Sequence, residues 1–405
     1  MLKDISFEEA QQQINTQVSS LAAEELPLDQ LIGRVLAKDL IAPRPLPNCS
    51  QSAVDGFALG SEADPASNQF VIKGRLELGD NPDQVIGPGE ALGVMTGGLL
   101  PLGCVGVVPH ERTVLQGEHL GVLEQVKTNQ NIKQAGEDFS EGELLLKSGG
   151  CLEPGSIALM AAYGITSTPV FRKPRVAVLA MGRNVADYRE NPQTGQTRDA
   201  NSPMLGALIR QDGGVPGSSL LVAGKSSLEV SDSLEALLSD ADVLITSGGT
   251  YTRGEDDLIR VVEQIGAQMI FWGVNIMPGS HLGMARRGNQ FIVLLSGNPT
   301  ACFVGYHLFT APILHIMQGL PGGLSVKEAV CINGFAKKSG SRRFVRGHAQ
   351  ASSQGWEVEI LPGQKPSMIR SMLGCNALID VPAGNRGITS GEKVSIIPLN
   401  RFRGL

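Results

Sequence analysis

Residues 243 to 257 read VLITSGGTYTRGEDD: an apolar and β-branched run, two adjacent glycines, then three consecutive acids. A continuous apolar run ending in glycine is what a strand buried on both faces of a parallel sheet looks like. VAVLAM at 176 to 181 has the same form, and helical patterns follow both runs: SPMLGALIRQDGG, SLEVSDSLEALLSD, DDLIRVVEQIGAQ and TACFVGYHLFTAPILHIM. Strand and helix alternating at this spacing predict a doubly wound parallel α/β domain over residues 173–325, whose ligands sit at the carboxyl ends of the strands. Within the opening stretch, Gly248 and Gly249 let backbone N–H groups approach a ligand closely, and the helix start beyond them favours an anion. Asp256 offers a carboxylate for a divalent cation or for a ligand N–H. The plainer reading is a strand-to-helix turn whose acids only favour the helix dipole. LLSGNPTACFVGYH at 294 to 307 repeats the design, with Ser296-Gly297-Asn298-Pro299 between an apolar run and a helix. Two such loops project from one edge of a parallel sheet, so ligand binding there is the expectation.

Outward from that domain the text changes. Residues 5 to 40 carry apolar residues at helical spacing (Ile5, Ala10, Ile14, Val18, Leu21, then Leu26 to Leu36) and read as helical until PRPLPNCS at 43 to 50 stops them. From about 50 to 140 short β-branched runs are cut by Gly and Pro (FVIKG, GVMTGG, CVGVVPHE, LGVLEQV), which predicts a small inserted β-domain. EAVCING, WEVEIL, ALIDVP and KVSIIPL predict a C-terminal β-domain. The expected fold class is therefore multidomain α/β plus β: an N-terminal helical or mixed domain (1–48 and 141–172), an inserted β-domain (49–140), the α/β domain (173–325) and a small C-terminal β-domain (326–405).

Composition sets the class of partner. With 405 residues the chain exceeds what one hydrophobic core usually serves. Hydrophobic residues at 42% and charged residues at 18% are globular values, and a net charge of −6 without a basic run gives no electrostatic footprint for nucleic acid or an anionic membrane. The start, MLKDISFEEAQQQI, is charged, and no stretch reads as the roughly 20 apolar residues of a membrane span, so a cytoplasmic location is expected. Cys49, Cys104, Cys151, Cys302, Cys331 and Cys375 are scattered without metal-ligand spacing and read as free thiols.

By spacing alone, Ser52, Asp55 and Gly56 make a turn. Their company says more. S-x-V-D-G-F-A at 52–58, V-M-T-G-G at 94–98, N-I-K-Q-A-G-E-D at 131–138, V-L-I-T-S-G-G and S-G-N-P follow in an order that resembles the molybdopterin molybdenumtransferase family, bacterial MoeA and the E domain of gephyrin, over essentially the whole chain. The resemblance implies an elongated homodimer that takes adenylylated molybdopterin and molybdate, uses a divalent cation such as Mg2+, releases AMP and inserts molybdenum into the dithiolene. Its active cleft would lie between the α/β domain of one subunit and the β insertion of the other. A molybdopterin adenylyltransferase or molybdoenzyme apoproteins are the implied partners. Carried over by position, Asp55, Thr96, Asp138 and Asp256 take catalytic roles, with Asp55 and Asp256 as metal ligands. Ser247, Gly248, Gly249, Asp199, Asn201, Ser296, Gly297, Asn298, Pro299, Arg346 and Ser371 take cofactor-binding roles.

The chain also departs from the family pattern. Met181-Gly182-Arg183-Asn184-Val185 stands where the family usually reads T-G-D-E-L, and Met277-Pro278-Gly279-Ser280-His281 stands where it usually reads K-P-G-K-P. Two acids and two lysines are thereby lost, and lysine is a point charge that neither Met nor Ser replaces. Arg183, Lys225 and His281 are the candidate substitute cations. Lys133-Gln134-Ala135 stands where basic residues are common. The rival expectation is a non-catalytic carrier or scaffold that keeps the pterin pocket, and tungstate is an alternative oxyanion.

Overall fold

The computed structural model describes residues 1–61, 68–81, 83–223, 226–250, 256–337, 340–353 and 355–399, and only the backbone of Asp256 and Asp257. They form two compact units, residues 1–37, 149–157 and 166–405 in the first and residues 38–148 and 158–165 in the second.

The first unit is built on a seven-stranded sheet in the order Leu2–Ile5, Gln268–Val274, Gly283–Arg287, Gln290–Leu295, Val243–Ser247, Arg175–Met181, Val215–Val222. Gly283–Arg287 runs antiparallel to both neighbours, and every other pairing is parallel. The exception is a hairpin: Arg287 faces Gln290 across a two-residue loop in which Gly288 has φ +58°. The expected doubly wound sheet is present, with one reversed strand. Its central strands are mainly apolar because both faces are covered, with Thr246 and Ser247 the buried polar residues at the end of Val243–Ser247. Val243 and Ile245 pack with Val176, Val178 and Val293 on one side, while Leu244 packs with Leu179, Ile292 and Leu294 on the other.

Helix Asn201–Gln211 and the run Pro299–Met317 contribute to the first of these layers; Ser227–Leu238 and Asp256–Gln264 cover the second. Pro299–Met317, 19 residues with mean hydropathy 1.3, is long and apolar enough to cross a membrane by length and composition. It contradicts the reading that no such stretch exists, and the reason for its apolarity is packing: 94% of it is buried inside the protein. Its middle, Tyr306–Thr310, is a π turn ahead of Pro312. Proline has no N–H to give the carbonyl of Leu308 one turn back, and the side-chain amide of Gln11 supplies that bond instead at 2.6 Å.

The N-terminal reading needs correction. Residues 5–40 are α-helical only over Phe7–Gln17, which Ser6 and Glu9 close with a capping box, with a single 3-10 turn at Leu28–Gln30. Leu2–Ile5 is an edge strand of the main sheet, and Ala23–Pro27 pairs antiparallel with Ser167–Phe171. The second apolar pattern, from Leu26, is broken at once by Pro27 and then by Gly33, which has φ +71°.

The C-terminal β-domain is a closed barrel. Arg342–Ser352 pairs with Gly355–Ile360 on one side and Ala377–Val381 on the other, and Lys327–Cys331 and Lys393–Pro398 complete the circuit. It joins the α/β layer through Phe344, which is fully buried with its ring 5.1 Å from that of Phe7.

The second unit holds a six-stranded sheet in the order Gly106–Pro109, Gly56–Leu59, Glu90–Val94, Gln69–Arg75, His119–Val122, Thr113–Gln116. Gly56 is required there, since a Cβ would lie 1.9 Å from the carbonyl oxygen of Val108.

Candidate functional site

Strands Arg175–Met181, Val243–Ser247 and Gln290–Leu295 run parallel and side by side, so their carboxyl ends bring three loops together. Gly248 and Gly249 have φ +97° and +74°, a region that L side chains rarely adopt. A Cβ on Gly248 would sit 2.2 Å from the Met181 carbonyl oxygen, and one on Gly297 would sit 3.0 Å from the Gly248 Cα. The two glycine loops therefore lie back to back at a distance only glycine permits. Gly248 N–H donates to the Leu295 carbonyl at 3.0 Å, which ties one loop to the strand beneath the other.

A cavity of about 710 Å³ opens over these loops, lined by Ser247, Gly248, Gly249, Asp199, Asn201 and the whole Ser296-Gly297-Asn298-Pro299 segment, together with Met181, Asn184, Thr197, Arg198, Thr250, His281, Ser367 and Ile369. Nine residues of the cofactor-binding expectation are thus in one place. Asn298 caps the following helix: its Oδ1 accepts from Thr300 N–H at 3.1 Å and Thr300 Oγ1 at 2.9 Å, and Pro299 takes the first helical position. The same Oδ1 accepts from Ser367 N–H at 3.1 Å, and Asn298 Nδ2 donates to Ser367 Oγ at 3.1 Å. Ser367, with φ +63°, brings the C-terminal barrel's loop to the cavity wall.

Asp199 and Asn201 line the cavity, but their bonds run into the protein. Asp199 Oδ1 accepts from the N–H groups of Asn201 (3.0 Å) and Ser202 (3.1 Å), the first two of helix Asn201–Gln211, and Oδ2 accepts from Ser202 Oγ. Asn201, only 6% exposed, donates through Nδ2 to Ser247 Oγ at 2.7 Å and to the Gly297 carbonyl at 3.0 Å. Ser247 Oγ in turn donates to Cys302 Sγ at 3.8 Å; burial pushes the Cys302 thiol up to about 12, so it is a neutral thiol.

Arg346 and Ser371 are neighbours but not cavity walls. Both are buried in the barrel, with Arg346 Nε donating to Ser371 Oγ at 3.1 Å and Nη2 to the Gly363 carbonyl at 3.2 Å. Burial lowers the Arg346 guanidinium to about 10, still a cation at neutral pH. The pair braces the turn before Ser367.

The expected catalytic group is less concentrated. In the second unit, Asp55 Oδ1 accepts from Thr96 N–H at 2.7 Å and Thr96 Oγ1 at 2.9 Å, and these bonds hold its carboxyl below the usual carboxylate range. Asp138 is exposed, with Oδ2 4.0 Å from Lys133 Nζ. The Asp256 side chain and Lys225 lie outside the described residues. Among the described residues no three His, Cys, Asp or Glu side chains converge as a metal cage. Of the candidate substitute cations, His281 lines the cavity, with Nδ1 3.3 Å from Ser280 Oγ, whereas Arg183 is exposed and outside its lining. Met277 also stands outside it, with Sδ accepting from Arg343 at 3.6 Å. Arg198 does line the cavity, but it donates to the Glu190 carbonyl and to Asn191 Oδ1, both at 3.1 Å.

Sequence reasoning missed Thr197, Arg198, Ser367 and Ile369 as cavity walls. Gly363 and Pro366 marked a loop near Ser367, but nothing local said which distant cap that loop would meet.

Fold and site define a multidomain protein whose central α/β domain presents a glycine-walled ligand cavity at the carboxyl edge of its sheet. Residues 5–164 match the MoeA N-terminal region (domain I and II), 177–316 a probable molybdopterin binding domain, and 328–399 the MoeA C-terminal region (domain IV). The molybdopterin molybdenumtransferase of Staphylococcus aureus strain Mu50 is 30% identical over 400 residues, 97% of this chain and 95% of the relative, and that of Staphylococcus epidermidis ATCC 12228 gives the same values. A crystal structure of the molybdopterin biosynthesis MoeA protein of Pyrococcus horikoshii superposes with a TM-score of 0.84 at 25% identity, covering 99% of this chain and all of that one. The chain belongs to the molybdopterin molybdenumtransferase family.

Proposed function

We propose that the chain is an enzyme of molybdenum cofactor biosynthesis, inserting molybdate into adenylylated molybdopterin with release of AMP. The observation that carries the reading is the cavity of about 710 Å³ walled by the two back-to-back glycine loops, within the span that matches a molybdopterin binding domain. A planar pterin with an anionic tail suits exposed backbone and the capped helix start at Asn298-Pro299. Catalysis would rest on holding the reacting groups in place and on electrostatics rather than on a protein nucleophile.

Asp55 would be a ligand of the magnesium ion of this proposal; the side chain of Asp256, the other carboxylate expected for it, lies outside the described residues. Asp55 fits the part, being a hard oxygen donor kept ionised by Thr96, and magnesium ordinarily takes one or two carboxylates with waters and substrate phosphates rather than a protein cage. The ion would supply charge neutralisation at the phosphate. Thr96 orients the Asp55 carboxylate, and the loops at Ser247 and Ser296 position the pterin. The proposal includes a cytoplasmic homodimer that receives substrate from a molybdopterin adenylyltransferase and passes product to molybdoenzyme apoproteins.

The test is turnover: purified protein given adenylylated molybdopterin, molybdate and magnesium should release AMP and form molybdenum cofactor, and Asp55→Asn should lower the rate by a hundredfold or more, as loss of a positioned charge does. Binding of molybdopterin with no AMP released at any molybdate concentration would replace the enzyme with a carrier. Replacing molybdate by tungstate in the same assay ranks the oxyanions.

A further inference from the structure

Two residues that the family pattern makes ligand contacts have their polar atoms committed elsewhere. The orientation of the Asn201 amide is fixed by chemistry, because the Gly297 carbonyl can only accept; the end 3.0 Å from it is the nitrogen, and the same nitrogen reaches Ser247 Oγ at 2.7 Å. Both amide hydrogens are spent, one on each glycine loop. Oδ1 is buried with no hydrogen-bond partner, so it presents no surface to a ligand. Asp199 spends its oxygens on the N–H groups of Asn201 and Ser202 and on the Ser202 hydroxyl.

We propose that Asn201 is a positioning residue, a clamp that sets the spacing of the Ser247 and Ser296 loops and hence the width of the ligand cavity, with Asp199 fixing where the clamp begins. The proposal rests on the pterin reading of this cavity. Each end of the clamp is demanding. Gly248 and Gly297 stand so close that any side chain would intrude, yet no backbone hydrogen bond joins Ser247 to Gly297, and the Asn201 amide is the group that bonds to both. An orphaned buried acceptor on Oδ1 is tolerated because Nδ2 makes two bonds in exchange. The clamp sits on the first turn of helix Asn201–Gln211, whose Leu205, Leu208 and Ile209 are core, so its position is inherited from the packed layer and not from the loops it joins.

The role is separable from direct contact by the donor it needs. Asn201→Ala removes both bonds and should weaken binding of a fluorescent pterin about tenfold or more, the worth of one to two hydrogen bonds. Asn201→Asp puts a carboxyl group against the Gly297 carbonyl; burial and the neighbouring Asp199 carboxylate raise its pKa well above the ordinary carboxylate range, so that it is ionised and repelling at pH 8 but protonated, with one donor regained, at pH 5.5. Its affinity should therefore be as poor as that of Asn201→Ala at pH 8 and recover severalfold at pH 5.5. Asp199, His281, Arg198 and the Cys302 thiol are common to wild type and both variants, so the difference between the two variants isolates the clamp. Ser247→Ala removes one arm and should cost less than Asn201→Ala, adding nothing to it in the double variant; it serves if Asn201→Ala fails to fold. Wild-type affinity in Asn201→Ala, or the same affinity in both Asn201 variants at both pH values, overturns the clamp alone. A wild-type protein that binds no pterin and shows no turnover overturns the pterin reading and the clamp with it.

Discussion

At the scale of single residues, a glycine is informative only where its surroundings forbid a side chain. Gly248 and Gly266 have similar backbones, φ +97° and +78°, but a Cβ on Gly266 meets nothing within 4 Å while one on Gly248 meets the Met181 carbonyl at 2.2 Å. Gly266→Ala should cost about 1 kcal/mol, the price of a left-handed alanine, and Gly248→Ala should exceed it by at least another 1 to 2 kcal/mol because strand or loop must shift as well. Urea melts of the two variants measure the difference, and equal losses would mean that the loops adjust freely. The sequence signalled Gly248 because two glycines at the end of an apolar run have few other uses. It gave no sign of Ser367, whose contact with Asn298 spans 69 residues of chain and follows from how the barrel docks.

At the scale of elements, helices in the α/β domain were legible from their 3.6-residue pattern and caps, as Ser227–Leu238 with its Ser226–Glu229 capping box shows. The stretch after residue 17 was not, because periodicity cannot see that Ala23–Pro27 finds a strand partner at Ser167–Phe171. Nor does periodicity reveal how Pro299–Met317 accommodates Pro312. Gln11→Leu should leave the Leu308 carbonyl without its side-chain donor, at a cost of about 1–3 kcal/mol read from the denaturation midpoint, whereas Gln12→Leu on the exposed side should be near neutral. The π turn of the same run also carries a pH dependence. Burial lowers the His307 imidazole to about 4, with Asp212 opposing and His315 adding to the shift. The unfolded chain protonates this group near its ordinary value and the folded chain does not, so its contribution to stability is complete above that value and is lost as pH falls toward 4, a change on the order of 3 kcal/mol. His307→Leu should flatten the stability profile between pH 6.5 and 4 relative to wild type, with the melting temperature followed at each pH; an unchanged slope would show that His307 is solvated.

At the scale of the molecule, the division into α/β and β text was readable because composition changes with the kind of layer being covered. The longest strand of the barrel, Arg342–Ser352, escaped notice, since RRFVRGHAQAS alternates poorly and carries arginines that find partners only in the fold. Those partners make the barrel continuous with the rest of the first unit. Phe344 is fully buried against Phe7 at 5.1 Å, and the Arg342 guanidinium lies 4.6 Å from the Phe7 ring while bonding to Glu8 and to Asp380. Phe344→Ala removes a ring from this junction and should cost about 3–5 kcal/mol. Phe7→Ala should overlap with it, the double variant losing less than the sum by roughly 0.5–1.5 kcal/mol, the usual coupling of an aromatic pair. If the barrel were an independent domain, Phe344→Ala would shift only a separate barrel transition and leave that of the α/β layer in place. Because Ser367 reaches the ligand cavity from the barrel, the junction has a functional consequence too: Phe344→Ala should weaken pterin binding at temperatures where the α/β layer remains folded, and tight binding under those conditions would show that the Ser367 loop is held without the Phe7–Phe344 contact.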